Sequence, residues 1–129
     1  MKRLGLIGAL LAVLTTACAT TSDQVTIRFH YSHYEPGQVE VPAGVPVTIT
    51  LRNDDPIDHE WIVGPPEVHE VHRHGTEAFH GHRPTEVTVP ALSTRVTTIV
   101  FDQPGDLAYI CHLPGHEEYG MLGTLRVRS

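Results

Sequence analysis

Short runs of alternating apolar and polar residues make up most of the chain after residue 24. The longest is Val45–Leu51, in which every second side chain is apolar and would lie on one face of a strand. Proline and glycine, which favour turns, separate the runs. Runs that alternate in this way or are continuously apolar also occur at Val25–Phe29, Val39–Val41, Trp61–Val63, Glu86–Val89, Arg95–Phe101, Leu107–Ile110 and Leu122–Val127. The pattern predicts an all-β protein of seven or eight strands, arranged as an antiparallel β-sandwich.

The longest segment without a strand pattern is Gly64–Thr85, and we expect it to be irregular because 10 prolines and 11 glycines leave little room for helices. It contains five of the chain's ten histidines: His69, His72, His74, His80 and His82. Histidines separated by one residue share a face of an extended chain and can bind one ion. Two interpretations remain open, a second copper or zinc site and a solvated loop whose histidines titrate near neutral pH.

The N-terminus has the pattern of an export signal. Met1–Arg3 is basic, and the apolar segment Leu4–Leu14 is too short for an ordinary membrane span. The residues that follow, Leu-Thr-Thr-Ala-Cys ending at Cys18, resemble the bacterial lipobox. We therefore expect a signal peptide over residues 1–17, lipidation of Cys18, a tether over 18–24 and a folded domain over 25–129. The alternative is a plain secretory signal, and both interpretations predict an exported protein.

Composition narrows the function classes. The chain is 40% hydrophobic and 19% charged, which is ordinary for a globular domain. Its formal net charge is −6. Because a nucleic-acid-binding protein needs a basic surface, we expect no nucleic-acid partner.

Candidate metal ligands follow the predicted strand at Leu107–Ile110. Cys111, His116 and Met121 are spaced five residues apart, and a thiolate, an imidazole and a thioether form a donor set that suits copper. Zinc remains an alternative because it also binds cysteine and histidine, although it has little use for a thioether. One loop cannot surround a metal, so a further ligand is expected from a distant strand end. His59, just before the predicted strand Trp61–Val63, has that position.

An upstream histidine followed by Cys-x4-His-x4-Met resembles the cupredoxins, or type 1 blue copper proteins, which include plastocyanin and azurin. The loop spacing is similar to that of the rusticyanin and auracyanin types. The resemblance implies a Greek-key β-sandwich with one copper, held by His59, Cys111 and His116 with Met121 as a long axial ligand. Glu60 departs from the family, in which a small polar residue often follows the first histidine. We expect its side chain to point away from the metal, since neighbours on a strand alternate.

The resemblance implies a one-electron carrier, and we expect a monomer. The signal places it on the outer face of the cytoplasmic membrane or the periplasmic side. Its redox partner would be a protein such as a cytochrome c or an oxidase. Four protein ligands would fill the copper site, so we do not expect an enzyme. The alternative is a copper-handling protein that binds, stores or delivers the metal through the histidine-rich segment 69–82. Asn53, at a strand end, is either a hydrogen-bond donor near the copper or a turn-forming residue.

Overall fold

The computed structural model describes residues 21–75 and 83–129. Within these ranges the chain forms nine strands and one short helix. In chain order they are β1 (Gln24–His30), β2 (His33–Glu35), β3 (Gln38–Pro42), β4 (Pro46–Asn53), β5 (His59–Gly64), α1 (Pro66–Arg73), β6 (Glu86–Val89), β7 (Thr94–Val100), β8 (Gly105–Ile110) and β9 (Leu122–Arg128). All eight predicted strands are present, and the additional one is the three-residue β2.

The strands form two sheets that pack as a β-sandwich, as predicted. One sheet has the order β2-β1-β4-β7 and the other the order β3-β9-β8-β5-β6. Five of the strand pairs are antiparallel, but β1 lies parallel to β4 and β3 lies parallel to β9. The sandwich is thus mainly antiparallel, as expected, with two parallel pairs that the sequence did not predict. Alternation along one strand fixes which face is buried and carries no information about the direction of its partner.

The core lies between the sheets and follows the alternation seen in the sequence. Val47, Ile49 and Leu51 of β4 are fully buried, and the residues between them are more exposed. Strand β5 differs because all six of its residues are buried. A central strand covered on both faces places its first residue, His59, in the protein interior.

The segment Gly64–Thr85 is not irregular throughout, because α1 occupies Pro66–Arg73. Proline at the first turn is compatible with a helix, since the missing N–H group would have no intrahelical acceptor there. Pro65 is the N-cap residue, and Pro66 begins the helix. Across the described ranges, no helix has the length and hydropathy that crossing a membrane requires.

The topology collects several chain segments at one end of the sandwich. The parallel pair β1 and β4 ends there, with Phe29 opposite Asn53. Strand β5 begins there at His59, and β8 ends there at Ile110, one residue before Cys111. The candidate ligands are therefore carried by strand ends and the loop between β8 and β9.

Candidate metal centre

Three of the predicted ligands lie together in the structure. One donor atom from each of His59, Cys111 and His116 lies within 4.8 Å of the other two. Nδ1 of His116 is 3.2 Å from Nδ1 of His59 and 3.2 Å from Sγ of Cys111. His59 and Cys111 are fully buried, whereas His116 is partly exposed on the loop. The two histidines are 57 residues apart in the sequence, and the fold of the sandwich brings them together.

The loop that carries Cys111, His116 and Met121 is held by its own backbone. The N–H group of Met121 donates to the carbonyl of His116 over 3.0 Å, and that of Cys111 donates to the carbonyl of Met121 over 3.1 Å. Gly115 and Gly120 have φ angles of 85° and 98°, which side-chain-bearing residues rarely adopt. The side chain of Met121 is fully buried and belongs to the core cluster that includes Cys111. Its contact with a metal stays a prediction.

The Cys111 sulfur accepts a hydrogen bond from the backbone N–H group of Glu60 over 3.3 Å. Burial raises the pKa of this thiol to about 11, so the metal-free cysteine is protonated at neutral pH. Metal binding must therefore displace a proton, and the thiolate that results keeps one N–H donor. Glu60 is itself buried, and its carboxylate is not among the three donors that converge.

The Asn53 side chain donates its hydrogen bonds to backbone carbonyls and not to the Cys111 sulfur. Its side-chain amide donates to the carbonyls of Ile57, Val89 and Pro90, and its oxygen accepts from the N–H group of Asp55. These bonds fix the loop between β4 and β5 against the end of β6. The turn-forming interpretation of Asn53 agrees with the structure.

The carboxylate of Asp55 contacts the His59 ring at Nε2, opposite the nitrogen that faces His116. Sequence reasoning did not identify this role. Oδ2 of Asp55 lies 2.8 Å from Nε2 of His59, and the carboxylate accepts backbone N–H bonds from Tyr31 and Ser32 at 2.8 Å each. Burial favours the neutral acid, but these hydrogen bonds outweigh burial and lower the pKa of Asp55. The ionised carboxylate fixes hydrogen on Nε2 of His59, which leaves Nδ1 as the nitrogen that faces Cys111 and His116.

The donor set fits copper. A buried thiolate and two imidazoles are soft to borderline ligands, and hard cations such as calcium prefer oxygen donors. Each of the three donors is oriented by a second contact of its own or by the loop backbone, as metal-ligating side chains usually are.

The histidine-rich segment is organised differently from the expectation of an extended chain. His69 and His72 lie one turn apart on the buried side of α1, whereas the His74 side chain is 69% exposed and contacts Glu70. A helix separates residues that an extended chain would align, so the exposed His74 does not join the buried His69 and His72. His69 and His72 instead contact His112. His80, His82 and the predicted lipidation site Cys18 lie outside the described residues.

The comparisons with known proteins agree with this fold. The chain belongs to the family of the cupredoxin-like domain, whose model matches residues 3–125. Among solved structures, reduced auracyanin from Roseiflexus castenholzii is 18% identical, with a TM-score of 0.74 over 85% of this chain and all of that one. Auracyanin A, a blue copper protein from Chloroflexus aurantiacus, is 24% identical, with a TM-score of 0.64 over 81% of this chain and 98% of that one.

Two sequence relatives are copper-resistant cuproproteins named CopI. That of Rubrivivax gelatinosus is 28% identical over 98 residues, covering 74% of this chain. The chain spans 59% of that relative's length. The Pseudomonas aeruginosa protein is 24% identical over 142 residues, covering 85% of this chain and 78% of its own. The family and these relatives support copper as the metal of the site.

Proposed function

We propose that this protein binds one copper ion through His59, Cys111 and His116, with Met121 as the axial ligand, and that it transfers single electrons. The observation that carries the proposal is the convergence of two imidazoles and one thiol within 4.8 Å, in a chain of the cupredoxin-like family. Copper bound by such ligands supplies a one-electron couple between its +2 and +1 states.

The residues around the donors suit a site that changes little between two oxidation states. Asp55 fixes the ring of His59, the N–H group of Glu60 fixes the sulfur, and the loop hydrogen bonds fix His116. Such a prearranged ligand set limits the movement that accompanies gain or loss of an electron. Four protein ligands would also leave no position for a substrate, which favours a carrier over an enzyme.

The surface next to His116 is a candidate docking site for the redox partner. Tyr119 is 77% exposed and Glu118 is exposed, whereas Glu117 is paired with Arg73 at 2.6 Å. The pairing with Arg73 neutralises part of the negative charge of Glu117 and Glu118. The patch therefore presents the Tyr119 ring and the Glu118 carboxylate. We propose that the redox partner is a basic cytochrome c or an oxidase.

Copper handling is the second candidate function. It is favoured by the similarity to two copper-resistant cuproproteins and by the grouping of His69, His72 and His112 outside the Cys111 site. Both functions fit an exported protein, in which Cys18 would provide a lipid anchor. We propose an extracytoplasmic location for either function.

Optical and electron paramagnetic resonance spectra of the copper(II)-loaded protein test the proposal. We expect one tightly bound copper with an intense visible band from thiolate-to-copper charge transfer. Cys111→Ser should abolish the band while circular dichroism shows a folded sandwich, because the serine hydroxyl is similar in size. The matched control is His74→Gln, which changes an exposed histidine and should leave the band unchanged.

The same sample separates the two functions. Reversible voltammetry with fast electron self-exchange supports the carrier, whereas slow exchange together with delivery of copper to a competing chelator supports copper handling. A strong visible band that persists in Cys111→Ser would show that the assigned sulfur is not a ligand.

A further inference from the structure

A buried histidine cluster lies beside the Cys111 site and is separate from it. It contains His69 and His72 of α1 together with His112, which directly follows Cys111. The ring centroids of His69 and His112 are 5.3 Å apart, and those of His72 and His112 are 5.4 Å apart. His69 is 2% exposed, and the side chains of the other two are each 4% exposed. The proposed electron-transfer function leaves all three without a role.

The hydrogen-bond partners of His69 determine which of its nitrogens carries hydrogen. Nε2 lies 3.2 Å from the carbonyl oxygens of both Gly64 and Ala108. Since a carbonyl oxygen only accepts, Nε2 is the protonated nitrogen, and Nδ1 presents a lone pair. That lone pair faces His112.

The outer nitrogen of His112 also faces an acceptor. Its Nδ1 is 3.5 Å from Oε2 of Glu117, a carboxylate that also pairs with Arg73. Hydrogen on Nδ1 of His112 leaves Nε2 with a lone pair, and Nε2 lies 3.0 Å from Nδ1 of His69. Hydrogen on Nε2 instead would join the two rings by a hydrogen bond, so the facing nitrogens can hold either a proton or a metal cation between them.

In the Cys111 site, two histidine nitrogens also face each other. There, Nε2 of His59 is held by the carboxylate of Asp55, and Nδ1 faces Nδ1 of His116 at 3.2 Å. Two nitrogens bound to one metal at about 2.0–2.1 Å, with a tetrahedral angle, are about 3.3 Å apart. Outer nitrogens held by carbonyl or carboxylate oxygens are the usual arrangement for metal-binding histidines.

A cavity gives a cation access to His112, the outer member of the pair. This cavity of about 680 Å³ is lined by His72, Arg73, His112 and Glu117, together with part of the loop that follows Cys111. Nδ1 of His72 lies 2.7 Å from the carbonyl oxygen of Val68, and its Nε2 lies 3.7 Å from Oε2 of Glu86, so the contacts of this ring lie within the protein.

We propose that Nδ1 of His69 and Nε2 of His112 form a second metal site that takes a borderline divalent cation, Cu²⁺ or Zn²⁺, through the cavity beside α1. Imidazole suits both ions. Water from the cavity would complete the coordination. The site is distinct from that of Cys111 and would give the protein a capacity of two metal ions.

The test begins with the purified protein carrying one equivalent of copper, so that the charge-transfer band reports a filled Cys111 site. Zn²⁺ and Cu²⁺ are then titrated in separate calorimetric experiments. We expect one further ion to bind with no change in the band. For Cu²⁺ we expect a second paramagnetic resonance signal with the wide copper hyperfine splitting of nitrogen and oxygen ligands. If only one of the two ions binds, that ion is the metal that the site takes.

Variants assign the site. His69→Gln should weaken binding of the second ion by at least about tenfold, the loss that follows even from removing an outer partner of a metal-binding histidine. The combined variant His74→Gln, His80→Gln and His82→Gln removes the three histidines of the segment that lie outside the buried cluster and should bind the second ion normally. His112→Gln provides the same test should His69→Gln fail to fold.

Three results would overturn the proposal. The first is absence of a second ion from the wild-type protein, which would mean that a proton joins the two rings. The second is equal affinity in His69→Gln and the wild type, and the third is loss of the second ion in the combined variant. Absence of a band with the first equivalent would count against the proposed function of the Cys111 site and not against the His69 site.

Discussion

The carboxylate of Asp55 accepts a hydrogen bond from Nε2 of His59 over 2.8 Å, and both side chains are almost completely buried. A carboxylate at this position makes the imidazole a stronger donor through its other nitrogen. Because copper(II) gains more than copper(I) from a stronger donor, the pair should favour the oxidised metal. Asp55 thus acts on the metal through His59 without contacting it.

Asp55→Asn should therefore raise the reduction potential of the copper site and weaken copper(II) binding between about tenfold and a hundredfold. The charge-transfer band should remain, since Cys111, His59 and His116 are retained. Voltammetry and competition with a chelator measure the two effects. Asp58→Asn is the matched control, because Asp58 is in the same loop and its carboxylate accepts a bond from the Ala91 N–H group. Equal potentials in the two variants would contradict the role of Asp55.

Met121 is predicted to tune the copper more than to hold it. Met121→Leu removes the thioether at nearly constant volume and should raise the reduction potential, because copper(II) loses more than copper(I) when a donor is removed. Met121→Gln should lower it, since an amide oxygen favours copper(II). Voltammetry of both variants checks the prediction, and identical potentials would place Met121 away from the metal.

Gly123 is required by close packing of β9 on β8. A Cβ atom at this position would lie 2.2 Å from Cε2 and 2.3 Å from Cζ of the buried Tyr109 ring. The ring is held by a 2.8 Å hydrogen bond from its hydroxyl group to the carbonyl of Pro36. Gly123→Ala should therefore lower the free energy of unfolding by about 1–3 kcal/mol, as overpacking of a core does. Denaturant titration measures the loss.

The control for Gly123 is Gly37→Ala. A Cβ atom on Gly37 would meet only the carbonyl oxygen of Tyr34 at 3.8 Å, an ordinary contact. We expect a smaller loss of stability at Gly37, and losses of the same size would argue against the packing explanation.

The metal-free protein should become less stable as the pH falls below about 6.5. Burial lowers the pKa of His112 to about 4, so between these values the unfolded chain binds a proton that the folded chain does not. Between pH 7 and pH 5 this histidine alone should cost about 2 kcal/mol. Denaturant titration at the two pH values measures the difference, which His112→Gln should reduce and His74→Gln should not.

Membrane attachment depends on the predicted lipidation of Cys18. Cys18→Ala should release the mature protein from membranes, because it removes the thiol that would be acylated. Fractionation followed by immunoblotting checks the outcome. A Cys18→Ala protein that remains membrane-bound with its signal removed would rule out this anchor.

Most strands could be predicted because their periodicity is local. The alternation of Val47, Ile49 and Leu51 in β4 directly records which face is buried. The parallel pairing of β1 with β4 could not be predicted, because it depends on how distant segments meet. The helix α1 was missed because its buried face includes His69, and a buried histidine does not resemble a core position in the sequence.

The ligands of the candidate site could be proposed from the spacing of Cys111, His116 and Met121. The groups around them were less accessible to sequence reasoning. The donor to the sulfur is the backbone N–H group of Glu60, which any residue except proline would provide. Asp55 precedes a proline and looks like a turn residue, and only its spacing of four residues from His59 hints at a contact.

The parallel alignment of β1 with β4 also sets the orientation of an anchored molecule. β1 begins at Gln24 and reaches the metal end at His30, a span of about 20 Å for a strand of seven residues. A lipid on Cys18 would hold the domain by the far end of β1, so His59 and His116 would face away from the bilayer. Electrons or copper would then be exchanged with partners in the aqueous compartment, out of reach of sites buried in the same membrane.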